Sequence, residues 1–219
     1  MEIIYSDKSI IICIKPAGVL STDEPGGMPE LIRTELGNEH ANVRSVHRLD
    51  RVVSGVMVFA RCHRAASDLG KQVMDKNFSK EYLAVVHGVL PEKEGRMTDL
   101  LARNKAERKT YVVYEPGKDA QEAILDYKVL QENEGLSLVR IKLQTGRTHQ
   151  IRAQFSSRGL PLVGDKKYSI NEDECDIALW SFRLKFRHPE SGEMIDIRKA
   201  PPEVYPWTLF KDIEGQINE

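Results

Sequence analysis

Apolar residues in this chain come in short runs, each closed by turn formers. Ile10 to Ile14 is a β-branched run followed by Lys15-Pro16-Ala17-Gly18, which predicts a buried strand and then a turn. Residues 21–29 hold Pro25, Gly26, Gly27 and Pro29 and predict a loop. Pro29 to Leu36 fits a short helix with proline in its first turn and Gly37 as its stop. Val52 to Ala60 predicts a second strand. Arg64 to Phe78 predicts a helix with Ala65, Leu69 and Val73 on one stripe. Glu81 to Val89 reads as another strand. Pro91 to Gln121 is polar and charged, and predicts an exposed ribbon or loop. Ala123 to Val129 and Leu136 to Leu143 predict paired strands around the turn at 132–135. Thr148 to Arg158 predicts a helix capped by Thr148 and stopped by Gly159. Ile177 to Arg187 and Met194 to Ile197 predict strands joined by a turn over 188–193, and Ala200-Pro201-Pro202 breaks the chain before a tail at 203–219. Strands and helices mix without strict alternation, which predicts one α+β domain on a mixed, mainly antiparallel sheet.

Composition narrows the class. The 219 residues are 41% hydrophobic and 30% charged, enough for one substantial core. No apolar run approaches the ~20 residues of a membrane span, and the N-terminus lacks a basic-then-apolar leader. Three widely spaced cysteines, Cys13, Cys62 and Cys175, read as reduced thiols, so the expectation is a cytoplasmic protein. The net charge is only −1, but charge is segregated. Between Arg140 and Lys167 seven lysines and arginines face one acid, Asp165, which suits a polyanion partner as well as it suits a solvated strand face.

Three segments carry candidate chemistry. In VHRLDRVVSGVMVFAR, Asp50 stands between Arg48 and Arg51, directly before a strand. An arginine partner would keep that carboxylate ionised, which suits a nucleophile or base; a capping or surface-paired aspartate fits the same residues. In GRTHQIRAQFSSRGLPLVGD, Gly146 permits a tight turn, and Arg147, His149 and Arg152 lie at the start of a helix, where an anion is favoured. That pattern fits a phosphate or carboxylate cradle, or a basic helix with no ligand. In Lys80-Glu81-Tyr82 a tyrosine opening a strand can lie flat against a planar ligand, or simply pack. The six histidines and three cysteines form no metal-ligand spacing, and no Walker loop, GxGxxG fingerprint or GxSxG elbow occurs. The natural enzymatic reading therefore uses no metal and no cofactor.

Taken together, HRLDRVVSG, KEYLAVVHG and TGRTHQIRAQFSSRGLPLVGD resemble the RluA-type family of pseudouridine synthases, in order and in rough spacing. IIICIKPAGVLS resembles the family's opening strand and turn, and IALWSFRLKFRHPESGE its late strand and hairpin. The resemblance runs from about Ile3 to Pro202. It implies a single catalytic domain over 1–219, built on a bent mixed sheet flanked by helices, with a central RNA-binding cleft and no N-terminal accessory module. It also implies a reaction: the glycosidic bond of a uridine in RNA is broken, the base rotates, and it is rejoined to the sugar through carbon, without metal or cofactor. Asp50 matches the catalytic aspartate and Arg48 an RNA-contacting arginine. Tyr82 matches the tyrosine that stacks on the base, and Arg152 the arginine that pairs with the aspartate. Leu179 matches an apolar residue against the base, while Arg147 and His149 fall in the basic block.

These roles agree with what the residues offer. A stacked uridine must be flipped out before its sugar can be reached, which calls for an aromatic platform, a basic groove and an anchored carboxylate. Asp50 either attacks the sugar or removes a sugar proton. Two positions depart from the family pattern: Val53 replaces a threonine, and Trp180 replaces a histidine. The expected partner is ribosomal or transfer RNA, with no membrane and no required protein partner, so the chain is expected to act as a monomer. A non-catalytic RNA-binding or RNA-folding factor on the same scaffold is the alternative. A hydrolase is a weaker one, because such enzymes often need two carboxylates and the motif cluster holds one.

Overall fold

The computed structural model describes residues 1–218; of the tail expected over 203–219, residue 219 lies outside the described residues. In chain order the elements are β1 (Ile3–Ser6), β2 (Ile10–Lys15), α1 (Met28–Glu35), β3 (Arg44–Ser45), β4 (Ser54–Ala60) and α2 (His63–Met74). There follow β5 (Ser79–His87), β6 (Glu94–Asn104), β7 (Lys109–Val113), β8 (Gln121–Asn133), β9 (Leu136–Leu143), α3 (Gln150–Ser156), β10 (Leu179–Arg187), β11 (Met194–Arg198) and α4 (Ile213–Asn218). The class is α+β, with a mixed and mainly antiparallel pattern of strands, as the sequence predicts. The chain falls into two compact units, 1–80 with 180–199, and 81–179 with 200–219.

The first unit is organised around β4. On one side β2 pairs antiparallel along its length, from Ile10↔Ala60 to Lys15↔Gly55. On the other, β10 pairs parallel at its start (Trp180↔Ser54) and β3 antiparallel at its end (Ser45↔Phe59). One face, Ile10, Ile12, Val56, Val58, Leu184 and Phe186, packs under Ala65 and Leu69 of α2. The other face is buried too, with Ile11, Cys13, Met57 and Phe59 inaccessible to solvent. Burial on both faces explains why these strands read as unbroken apolar runs instead of alternating ones. Helix α2 stops at Met74, short of the predicted Phe78. Lys76 turns left-handed (φ 59°), and Phe78 leaves the helix path to stack on Phe186 at 5.1 Å.

The second unit is an antiparallel meander, β5-β9-β8-β6-β7. The polar stretch 91–121 is indeed a ribbon, mostly the β6–β7 hairpin. The predicted β8–β9 turn forms at Glu134-Gly135, both at positive φ. The helix expected over 148–158 is shorter, α3 at 150–156, and Gln150 to Phe155 are all buried. It packs through Ala153 on Leu101, Ala123 and Tyr168. Within 203–218, Trp207, Phe210 and Ile217 are buried, and Asn133 donates to the Leu209 carbonyl at 2.8 Å.

Candidate active site

Asp50 lies in the segment between β3 and β4, which has no strand partners of its own. Its carbonyl accepts the Val53 amide at 3.0 Å, closing a turn that feeds straight into β4. Gly55, one residue inside β4, has φ 123°, and a Cβ there would lie 2.4 Å from the Ser181 carbonyl oxygen. Only glycine lets β10 approach β4 at this point.

The turn is clasped by the loop that follows β2. Lys15 is fully buried, and its Nζ donates to the carbonyls of Pro16 (2.8 Å), Arg51 (3.0 Å) and Val53 (2.7 Å). Arg51 and Gly18 exchange bonds, Gly18 N–H to the Arg51 carbonyl and Arg51 Nε to the Gly18 carbonyl, both at 2.8 Å. Ser21 Oγ donates to the Leu49 carbonyl at 2.9 Å and accepts the Leu49 amide at 3.0 Å. Burial pushes the Lys15 ammonium down to about 8, against the opposing pull of the Asp50 charge. A cation therefore sits beneath the turn that carries the carboxylate. His47 closes the other side: Nε2 accepts the Val58 amide at 3.2 Å, and burial, with Lys80 adding to it, holds the ring down at about 3 and so neutral.

The arginines beside Asp50 in sequence are used differently from the first expectation. Arg51 holds the Gly18 carbonyl, and the Arg48 side chain is exposed. Val53, the departure from threonine, is 2% exposed and packs as an apolar residue. Trp180, the other departure, is buried and donates Nε1–H to the Lys199 carbonyl at 2.8 Å.

In the second unit Tyr82 is 5% exposed, the fourth residue of β5 and paired with Ile141 of β9. Lys80, the last residue of the first unit's opening stretch, has its ammonium lowered by burial. Arg152, on α3, makes a bidentate bond to Asp165, Nε to Oδ2 at 2.8 Å and Nη2 to Oδ1 at 2.7 Å. Its guanidinium also lies 5.0 Å from the Tyr168 ring centre. Tyr168 Oη accepts the Thr110 amide at 2.7 Å, so its own proton can go to His149 Nδ1, 2.9 Å away. Leu179 opens β10 and is 5% exposed.

At the start of α3 several groups are bonded within the chain. Thr148 does not cap the helix; His149 occupies that place at φ 55°, with no side-chain capping bond. The Gln150 Oε1 accepts the Arg147 amide at 3.0 Å and the Thr145 hydroxyl at 2.8 Å, while Arg147 Nε donates to the Glu122 carbonyl. The basic block is also less charged than it reads, because Arg140 pairs with Glu81 (2.8 Å) and Arg158 with Asp99 (2.9 Å), two acids from outside it.

Sequence reasoning missed Lys15, Ser21, Asp165 and Tyr168. The KPAG turn and the closing Gly164-Asp165 of the basic block were the available signals. Among the described residues no group of three or more His, Cys, Asp or Glu is arranged to hold a metal ion, and no helix is long and apolar enough to cross a membrane.

The sequence pattern describing RNA pseudouridylate synthases matches residues 9–157. The dual-specificity RNA pseudouridine synthase RluA of Yersinia pestis is 35% identical over 200 residues, covering 88% of this chain and 95% of that protein. The uncharacterized RNA pseudouridine synthase YlyB of Bacillus subtilis (strain 168) is 31% identical over 214 residues, covering 93% and 70%. Ribosomal large subunit pseudouridine synthase C of Buchnera aphidicola subsp. Schizaphis graminum is 31% identical over 218 residues, covering 93% and 68%. The solved structure of human RNA Pseudouridylate Synthase Domain Containing 1 superposes with a TM-score of 0.82 at 23% identity, covering 99% of this chain and 92% of that one, and so shares its fold.

Proposed function

Because this chain belongs to the RNA pseudouridylate synthase family, we propose that Asp50 is its catalytic residue. The protein is an RNA pseudouridine synthase, an isomerase that converts uridine in RNA to pseudouridine. The observation that carries the assignment of Asp50 is the clasped turn beneath it. Lys15 and Ser21 hold the backbone on both sides of this one carboxylate, which is the preorganisation that chemistry at a sugar carbon demands.

On this reading Asp50 acts on the ribose of a flipped-out uridine, either by attacking the sugar or by removing a sugar proton. Tyr82 supplies an aromatic face for the base and Leu179 an apolar contact. Arg48, Arg147 and His149 bind the RNA, and Arg152 is the ion-pair partner of Asp50. Residues 1–219 then act as one catalytic domain. The bidentate bond to Asp165 supports the role of Arg152, because it fixes the plane of the guanidinium before substrate arrives. The same residues argue against a purely RNA-binding factor, which has no need of an anchored carboxylate.

The substrate is read as ribosomal or transfer RNA; a relative named for the large ribosomal subunit supports the former. The chain is read as a cytoplasmic monomer, which the exposed free thiol of Cys62 suits. Pseudouridines are mapped in total RNA from cells with and without this gene, and in the latter RNA after incubation with purified protein. At least one site is expected to vanish with the gene and return with the protein. RNA left unchanged in both comparisons would contradict the reading.

A further inference from the structure

We infer that Ser21 is a positioning residue for the isomerisation, setting the backbone from which Asp50 projects; this rests on the assignment of Asp50 above. Leu49, the residue before Asp50, lies in no strand or helix, so its amide and carbonyl have no ladder partner. Both are satisfied by one atom, Ser21 Oγ, at 3.0 and 2.9 Å. The hydroxyl has one proton. It goes to the Leu49 carbonyl, the closer acceptor, leaving Met57 Sδ at 3.5 Å as a packing contact. Ser21 is 3% exposed and Leu49 7%, so no bulk water stands by to replace the bonds. Ser21 is itself fixed, because its carbonyl accepts the Ser45 hydroxyl at 2.6 Å.

The carbonyl after Asp50 is held as well, by Lys15 Nζ and the Gly18 amide. Asp50 thus lies between two pinned carbonyls, those of Leu49 and Arg51, and Ser21 is the pin on its N-terminal side. Removing the hydroxyl while keeping the fold frees the Leu49 peptide to rotate, and the carboxylate with it. A displacement near 1 Å at a reacting group lowers turnover by about 100-fold. RNA binding, which uses other side chains, has no reason to change.

The full-length Ser21→Ala protein is compared with wild type, with Asp50→Ala run alongside. Expected are a kcat lower by about 10- to 100-fold, a KM for RNA within about twofold, and faster hydrogen exchange at the Leu49 amide. Exchange at Met57 and Val58 in β4 is expected to stay as in wild type. Wild-type kcat in Ser21→Ala overturns the inference. So does exchange that rises as much at Met57 and Val58 as at Leu49, which marks a role in stability alone. Should the alanine protein not fold, Ser21→Cys serves, since a thiol fills the site but bonds weakly; wild-type kcat there overturns the inference and a reduced one supports it. Turnover surviving in Asp50→Ala identifies failure of the Asp50 assignment, separately from the exchange result at Leu49.

Discussion

Replacing Lys15 by methionine keeps the length of the side chain and removes its charge. The ammonium is fully buried, and its folded-state value is about 8 against an ordinary 10.5. That gap corresponds to about 3 kcal/mol of desolvation carried by the folded protein at neutral pH. Against it stand three hydrogen bonds from a charged donor to the Pro16, Arg51 and Val53 carbonyls, each worth about 1.5–3 kcal/mol. The bonds win, so Lys15→Met is expected to lose about 1–5 kcal/mol at pH 7. The pH dependence is the sharper test. With the folded value below the unfolded one, the unfolded chain holds more protons between pH 8 and 10.5, so wild-type stability gains from Lys15 as pH rises through that window. The methionine protein lacks this gain, and its deficit should widen by about 3 kcal/mol from pH 8 to pH 10.5. Urea unfolding of both proteins across this range reads the difference and cancels other titrating groups. A constant difference would refute the account of Lys15 as a charged, desolvated clasp.

His47 acts at the other end of the scale. Its ring must be neutral to stay buried, with a folded value near 3. Its contribution is intact above pH 6.5 and falls by about 1.4 kcal/mol per pH unit below it, down to about pH 3. Unfolding measured from pH 6.5 to 4.5, where the carboxylates common to both proteins cancel in the comparison, should show a shallower loss in His47→Gln than in wild type. Gly55→Ala meets the Ser181 backbone at φ 123° and should cost more than about 3 kcal/mol, seen as a large drop in melting temperature. Asp165→Asn removes one charge of a pair whose side chains are 5% and 0% exposed, and should cost about 3–5 kcal/mol; a melting temperature near wild type would argue against a structural role for the pair.

The parts of the fold that sequence made legible were those set by local pattern. The runs at Ile10–Ile14 and Val56–Ala60 are strands because both of their faces are covered, and Gly37 stops α1 where a positive φ is needed. The missed parts depend on distant contacts. Phe78 looks helical by spacing, yet a stacking partner more than a hundred residues away draws it out. The apolar stripe of α3 hid the fact that Gln150, Arg152 and Gln154 are buried too, each bonded to groups elsewhere in the chain. For the site, the motifs carried Asp50, Tyr82 and Arg152 to notice. They did not reveal Lys15 and Ser21, because side-chain bonds to loop carbonyls and amides leave no periodicity in the sequence.

The central claim is that Asp50, on its clasped turn, performs the chemistry and does not merely bind. The measurement that tests it most directly is pseudouridine formation by Asp50→Ala on an RNA that wild type modifies, paired with the affinity of both proteins for that RNA. The account predicts no detectable pseudouridine and an affinity within about threefold of wild type, because the RNA-binding side chains are untouched. Pseudouridine formed at a rate near that of wild type would contradict it.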